Sequence, residues 1–334
     1  MSRTDPGSEL EALVATEMDR RPSAAAARLV GEILARFGDS LAAVVFYGSC
    51  LRTQSDEGVF DFYAIVDDYA SAYPLARGLR ALNRILPPNV FLIEAAGDEA
   101  PLRGKVAVLS ARDFEHATGP GALRSGIWAR FCQPSIAAFV RDPAARTMLH
   151  RGAARSVTTA LERILPLLPS DANSAAVRFR SEEFWNTAFA ATYTNEMRAE
   201  SRDSIASLHD ADPERYERAA RIGLAVLAGR GALPPEATND RDDPAAAEVE
   251  VRLDAATARR ARRSWRLRRP LAKAAYAAQL AKSAFTFGDW LPYVLWKVER
   301  HSGTRIVPTE RQRRHPWVWG WPILFRVLAR RDLR

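Results

Sequence analysis

Phe46-Tyr47-Gly48-Ser49-Cys50-Leu51-Arg52, followed by Val59-Phe60-Asp61-Phe62-Tyr63-Ala64-Ile65-Val66-Asp67-Asp68, joins residue types that handle phosphate and metal. Gly48 has no Cβ, so a turn there can pass close to a phosphate, and the Ser49 hydroxyl and nearby N–H groups can donate to its oxygens. Period-two alternation through 59–67 puts Asp61, Tyr63, Ile65 and Asp67 on one strand face. Asp61, and with it Asp67, can then point toward whatever the Gly-Ser turn holds. Hard carboxylate oxygens of this kind suit Mg2+, which bridges phosphate oxygens and stabilises an in-line displacement. Lys105 or Arg52 can neutralise charge on a polyphosphate in the transition state.

Such residues work only if the chain positions them. Leu41 to Tyr47 is an apolar, β-branched and aromatic run that reads as a buried strand. Ala24 to Phe37 before it has helical spacing and ends at Gly38-Asp39-Ser40. After a polar loop at 54–58 comes a second strand, Val59 to Val66; Ala70 to Ile85 reads as a helix, Pro87-Pro88-Asn89 as a turn, and Val90 to Ile93 and Lys105 to Ser110 as two further strands. This gives a small mixed sheet ending near residue 115. Helical pattern follows over Arg124 to Val140, Pro143 to Leu168, Ser181 to Arg198 and Pro213 to Ala228, and the Pro-, Asp- and Ala-rich stretch Gly229 to Asp254 reads as a loop. The expected fold class is α+β: a nucleotidyltransferase-like small mixed sheet with flanking helices at 1–118, a mainly helical domain at 119–228, a linker at 229–254, and a basic amphipathic C-terminal segment at 255–334.

Helix, strand, Gly-Ser turn and carboxylate-bearing strand is the order of the nucleotidyltransferase superfamily, whose acid-x-acid pair would put a second carboxylate where Tyr63 stands. The second metal ligand then comes from elsewhere, or the site uses fewer carboxylates. Asp67, Asp68 and Glu94 are the nearest candidates to join Asp61, and spacing does not choose among them.

A closer resemblance is to the mitochondrial-type phosphatidate cytidylyltransferases, the translocator assembly and maintenance family, which also departs from the acid-x-acid pair at this place. Tyr47-Gly48-Ser49, Asp61-Phe62 and Val66-Asp67-Asp68 carry it. Asn89-Val90-Phe91 and Lys105-Val106-Ala107-Val108-Leu109-Ser110 resemble two of the family's strands, and Trp128-Ala129-Arg130-Phe131-Cys132-Gln133-Pro134 is similar to its glycine-arginine-leucine-glutamine-lysine-proline segment. Ala129 replaces the glycine there, and the lysine is missing. Tyr193 to Arg198 resembles a tyrosine-x-x-aspartate-x-arginine segment with the acid shifted to Glu196, and Lys282 to Gly288 resembles a lysine-glycine-x-x-threonine-alanine-glycine segment. The resemblance implies transfer of a cytidylyl group from CTP to phosphatidic acid, giving CDP-diacylglycerol and pyrophosphate with Mg2+. On that reading Gly48, Ser49 and Arg52 bind nucleotide, Asp61 and Lys105 are catalytic, and Arg198 and Lys282 meet the acceptor phosphate. A phosphatidate phosphate is already ionised at neutral pH, so no strong general base is needed. Two other readings stay open: a nucleotidyltransferase with a non-lipid acceptor, and a catalytically degenerate relative that binds nucleotide or membrane.

Composition agrees with anionic partners. The 334 residues carry a net charge of +8. Two cysteines, Cys50 and Cys132, make no disulfide framework, and with five histidines they offer no zinc pattern. Cys50 beside Ser49 reads as a small buried thiol, since no motif supplies a base for it. The N-terminus lacks the apolar core of a signal peptide and no run of eighteen apolar residues occurs, so the expectation is a cytoplasmic protein attached peripherally to the inner face of a membrane. The charge is localised. From Ala255 to Arg334 nineteen Lys and Arg face four Asp and Glu, which leaves the rest of the chain net acidic. Arginines surround Trp265, and a tail holding Trp317, Trp319, Trp321 and Phe325 follows, interleaved with Arg326, Arg330 and Arg331. Trp beside Arg on a segment too short to span a bilayer suits its headgroup region. Arg266, Trp317, Trp319, Trp321 and Phe325 are therefore the expected contacts with an anionic membrane surface, and the contiguity of the tail's apolar residues favours membrane over nucleic acid.

Overall fold

A computed structural model describes residues 5–98, 100–170, 176–196, 202–233, 248–286 and 308–311. The chain opens with α1 (Pro6–Met18), whose first turn is capped by the Asp5 carboxylate accepting from the Ser8 N–H, and α2 (Ala24–Phe37), capped likewise by Ser23. Gly38, at φ +52°, ends α2 and turns the chain into β1 (Leu41–Tyr47). Next come α3 (Ser49–Thr53), β2 (Val59–Val66), α4 (Tyr69–Ala72) and α5 (Arg77–Ile85). β3 (Asn89–Ala95) and β4 (Leu102–Ser110) form a hairpin, followed by α6 (Ala111–Ala117), α7 (Gly126–Phe131) and β5 (Ile136–Val140). The five strands make one mixed sheet in the order β3-β4-β2-β1-β5, with β2 and β4 parallel and the other pairs antiparallel.

The period-two reading of β2 holds. Phe60, Phe62, Ala64 and Val66 join Val44, Phe46, Val106 and Val108 on a face that packs against Leu29, Val30, Ile33 and Phe37 of α2. Tyr63 and Ile65 join Ala43, Val45 and Leu109 on the opposite face, which meets the helical half of the molecule. That half is α8 (Pro143–Ile164), α9 (Ser181–Asn195), α10 (Arg202–Asp210), α11 (Pro213–Gly229) and α12 (Ala255–Thr286); β6 (Ala176–Phe179) and β7 (Val249–Arg252) pair in a second, two-stranded sheet beside it. α1 packs on α8 and α11. Arg215 of α11, almost fully buried, donates to Glu17 of α1 at 2.7 Å and to the Cys132 carbonyl at 2.5 Å.

Several sequence expectations change, among them the loop expected over 229–254, whose residues Val249–Arg252 form β7 against β6. The helix expected over Arg124 to Val140 is cut at Cys132 and ends in β5, because Pro134 cannot continue a helix and Ile136–Val140 pairs with β1 as the sheet's fifth strand. The expected boundary near residue 118 falls inside one continuous core, since Tyr63 and Ile65 of the sheet cluster with Val157, Phe184 and Tyr216 of the helices. Pro74 splits the helix expected over 70–85 into α4 and α5.

Candidate active site

β1 runs straight into Gly48, whose φ of +94° is in the region L side chains rarely adopt. A Cβ there would stand 2.8 Å from Asp61 Oδ2, so glycine is required by both conformation and contact. Ser49 follows, exposed at the start of α3, and the Arg52 N–H donates to the Gly48 carbonyl at 3.1 Å. Cys50 points the other way: it is buried, with Sγ 3.5 Å from the Val59 carbonyl, which makes it a pin for the 54–58 loop rather than a nucleophile.

The sheet register does the rest. Tyr47 of β1 and Lys105 of β4 are the cross-strand partners of Asp61, so the three side chains share one row on one face. That row floors a cavity of about 520 Å³, within the usual range for a small-molecule site. Gly48, Ser49, Arg52, Asp61 and Lys105, expected from sequence, all line it. The wall facing the sheet comes from Arg124, Gly126, Arg130 and Gln133 around α7, Tyr193 and Glu196 at the end of α9, and Tyr276 and Gln279 of α12.

One ion pair holds that wall in place. Arg130 donates from Nη1 to Glu196 Oε1 at 2.8 Å and from Nη2 to Oε2 at 2.7 Å, and Nη1 also reaches the Gly126 carbonyl at 2.7 Å. Only 17% of the Arg130 side chain and 4% of that of Glu196 are exposed, so this fork-to-fork pair is largely withdrawn from water. Burial opposes the charge on Arg130, but the Glu196 carboxylate outweighs it and holds the guanidinium pKa well above its ordinary value. The Tyr276 hydroxyl accepts from the Gly126 N–H at 2.7 Å, which ties α12 to the same corner.

Tyr63, at the position of the missing acid, belongs to the core. Its ring stacks on Tyr47 with centroids 4.9 Å apart and meets Phe131 at 5.2 Å. A carboxylate there would be buried among aromatic rings. Burial also pushes the pKa of both phenols up, so neither serves as a base near neutral pH.

The structure does not bring Asp67, Asp68 or Glu94 to Asp61, which corrects the expected metal set. Asp67 follows β2, six residues or about 20 Å along the chain from Asp61, and accepts from both Nη atoms of Arg141 at 2.6 and 2.9 Å. Asp68 caps α4, accepting from the Ala70 and Ser71 N–H groups, and these bonds hold its carboxyl below the usual range. Glu94 is exposed on β3, where it accepts from Arg103 Nε at 2.9 Å. Alternation assigns a face within a strand and says nothing about distance along it, and Asp67 already lies past the end of β2. Among the described residues no group of three His, Cys, Asp or Glu clusters for a metal.

Lys282 does not line the cavity. It is buried, donates to the Pro88 carbonyl at 2.7 Å and to the Leu86 carbonyl, and its pKa is pushed down to about 7 by burial and by the Arg124 charge. It braces the turn before β3, a poor posture for the acceptor-phosphate contact expected of it. Arg198, Trp317, Trp319, Trp321 and Phe325 lie outside the described residues. Arg266 is exposed on α12, and among the described residues no helix is long and apolar enough to cross a membrane.

Sequence reasoning placed neither Arg124 nor the Arg130–Glu196 pair at the site. Arg130 and Glu196 are 66 residues apart, and no spacing links them before the fold is known. No model of a protein family matches the chain, and no curated protein matches it closely enough to count as a relative.

Proposed function

We propose that this chain is a cytidylyltransferase that moves CMP from CTP to phosphatidic acid, releasing pyrophosphate. The observation that carries the reading is the meeting of the local segment that bears Gly48, Ser49, Arg52 and Asp61 with Lys105 of β4 at one cavity. In this reading the Gly48-Ser49 turn lies against the triphosphate, close because no Cβ intervenes, and the Ser49 hydroxyl donates to a phosphate oxygen. Arg52 and Lys105 draw off negative charge from the phosphates. A phosphatidate oxygen attacks the α-phosphorus as the bond to the β-phosphate oxygen breaks; the new phosphoanhydride is CDP-diacylglycerol, and the electron pair leaves on pyrophosphate. No proton has to be removed from the acceptor, which agrees with a cavity in which burial keeps Tyr47 and Tyr63 protonated.

Mg2+ is commonly held by one or two carboxylates together with substrate phosphates, and Asp61, set against Gly48 at the cavity floor, fits the first of these roles. When bound, the ion would neutralise phosphate charge. Glu196, the cavity's other carboxylate among the described residues, is already engaged by Arg130.

The buried Tyr63 favours a second reading, a degenerate site that binds nucleotide without turnover. Equilibrium titration with CTP tests what both share. Charge-assisted contacts to phosphate contribute about 1.5–3 kcal/mol each, so Arg52→Met and Lys105→Met are each expected to weaken CTP binding by about tenfold or more. Unchanged affinity in both would remove the cavity as the nucleotide site.

A further inference from the structure

α5 presents a face that the described chain leaves open to solvent. Leu75, just before the helix, is 96% exposed, Ile85 81% and Leu82 38%. Gly78, Ala81, Leu82 and Ile85 stand at i, i+3, i+4 and i+7 and share one side of the helix. The opposite side is what fastens α5 to the sheet. Asn83, fully buried there, donates to the Val108 carbonyl at 3.1 Å and accepts from the Asn89 N–H, and Leu79 packs into the core. Arg80 donates to the Tyr73 and Pro74 carbonyls at 3.1 and 3.0 Å and so fixes the turn that displays Leu75.

Charge selects the kind of surface this face would meet. Arg77 and Arg84 are exposed along its flank, and residues 69–88 contain three arginines and no carboxylate. An outward apolar stripe edged by arginine is the pattern of a helix that lies in a headgroup layer, where basic residues meet anionic lipid. Position adds to this. Ile85 is three residues from Pro88, which lines the cavity, so the stripe ends within about 10 Å of the cavity rim along the chain. The joint between them is braced: Arg124 donates to the Pro87 carbonyl, and Lys282 and Gln279 donate to that of Pro88.

We propose that the Leu75–Leu82–Ile85 face of α5, edged by Arg77 and Arg84, seats on an anionic bilayer surface beside the cavity rim. The choice of a bilayer over a protein partner rests partly on the lipid-acceptor reading above. The seat is far in sequence from the C-terminal tail and would bring the Pro88 rim of the cavity toward the bilayer surface.

The test uses the full chain and sedimentation with vesicles of phosphatidylcholine alone or mixed with phosphatidylglycerol. Arg77→Gln/Arg84→Gln is expected to weaken partitioning to the anionic vesicles by about thirtyfold, and Leu75→Ser/Ile85→Ser to reduce it further. These side chains are exposed, so melting temperatures should not move. Should the serine pair fail to fold, the arginine pair and a probe carry the test. Cys50 and Cys132 are buried, so an environment-sensitive fluorophore on Ile85→Cys labels the face selectively. Its emission is expected to shift to the blue with anionic vesicles. Unchanged emission on vesicle-bound protein overturns the proposal, as does unchanged partitioning of the arginine pair. A blue shift that depends on protein concentration without vesicles overturns it in favour of a second copy of the chain. Partitioning requires no CTP, so absence of transfer by the parent would sink the functional reading alone. Transfer to detergent-dispersed phosphatidic acid by a variant that still binds vesicles normally would sink the α5 seat alone.

Discussion

Asp61→Asn is expected to lower CMP transfer by about a thousandfold while leaving the fold in place. The side chain is half-buried at the cavity floor, directly against Gly48, and Asn preserves its shape. What is lost is negative charge where phosphates and a divalent ion would converge, and removing a single preorganised electrostatic partner typically costs a hundredfold to about a thousandfold. The loss should appear in kcat and persist at saturating Mg2+, because the neutral amide is a weak ligand for a hard cation. Melting should shift by no more than a few degrees. A variant with near-parental rates would mean that Asp61 lies beside the chemistry without taking part.

The largest effect on stability is expected at the cavity wall. Glu196→Ala removes both acceptors from the Arg130 fork and leaves a guanidinium enclosed by Tyr63, Tyr276 and the α7 backbone. Breaking a buried pair in this way costs about 3–5 kcal/mol, mostly because an uncompensated charge stays behind. The pair itself need not be worth that much. Arg130→Met combined with Glu196→Leu should therefore recover most of the loss, and urea denaturation of the two singles and the double separates the two contributions. If Glu196→Ala costs less than about 1 kcal/mol, the wall is open to water and the pair is not the clamp described.

The two predictions concern residues of different legibility. Gly48 and Asp61 could be read from sequence because β1 is an unbroken apolar run and β2 a second one interrupted at Asp61, and any strand sets alternate residues on opposite faces. Lys105 stands at the start of the apolar run Lys105 to Ser110 and is singled out by the family resemblance, while its place beside Asp61 follows only from the register of β2 and β4. Asp67 shows where such reading stops: period two reports which side a residue faces, while its partner Arg141 comes from beyond β5, itself hidden in an Ala-rich stretch compatible with helix. Arg130 and Glu196 each sit in a segment of the family resemblance, but nothing in the sequence pairs them, because an ion pair between helices is decided by how α7 and α9 pack. Tyr63 was visible as a departure from acid-x-acid, but only its stacking between Tyr47 and Phe131 explains why an apolar-bodied residue occupies the position. In the α5 segment the absence of carboxylates was readable, whereas the outward turn of Leu82 and Ile85 depends on Asn83 being pinned beneath β3 and β4.

Transfer of the CMP group of CTP to a lipid phosphate is the activity proposed for this cavity. Its most direct measurement incubates the full chain with CTP labelled on the α-phosphate, Mg2+ and phosphatidic acid vesicles, then extracts the lipids. The expected result is label in CDP-diacylglycerol, one pyrophosphate released per lipid formed, and no lipid label when the γ-phosphate carries it. Folded, vesicle-bound protein that leaves all α-label in the aqueous phase would contradict it.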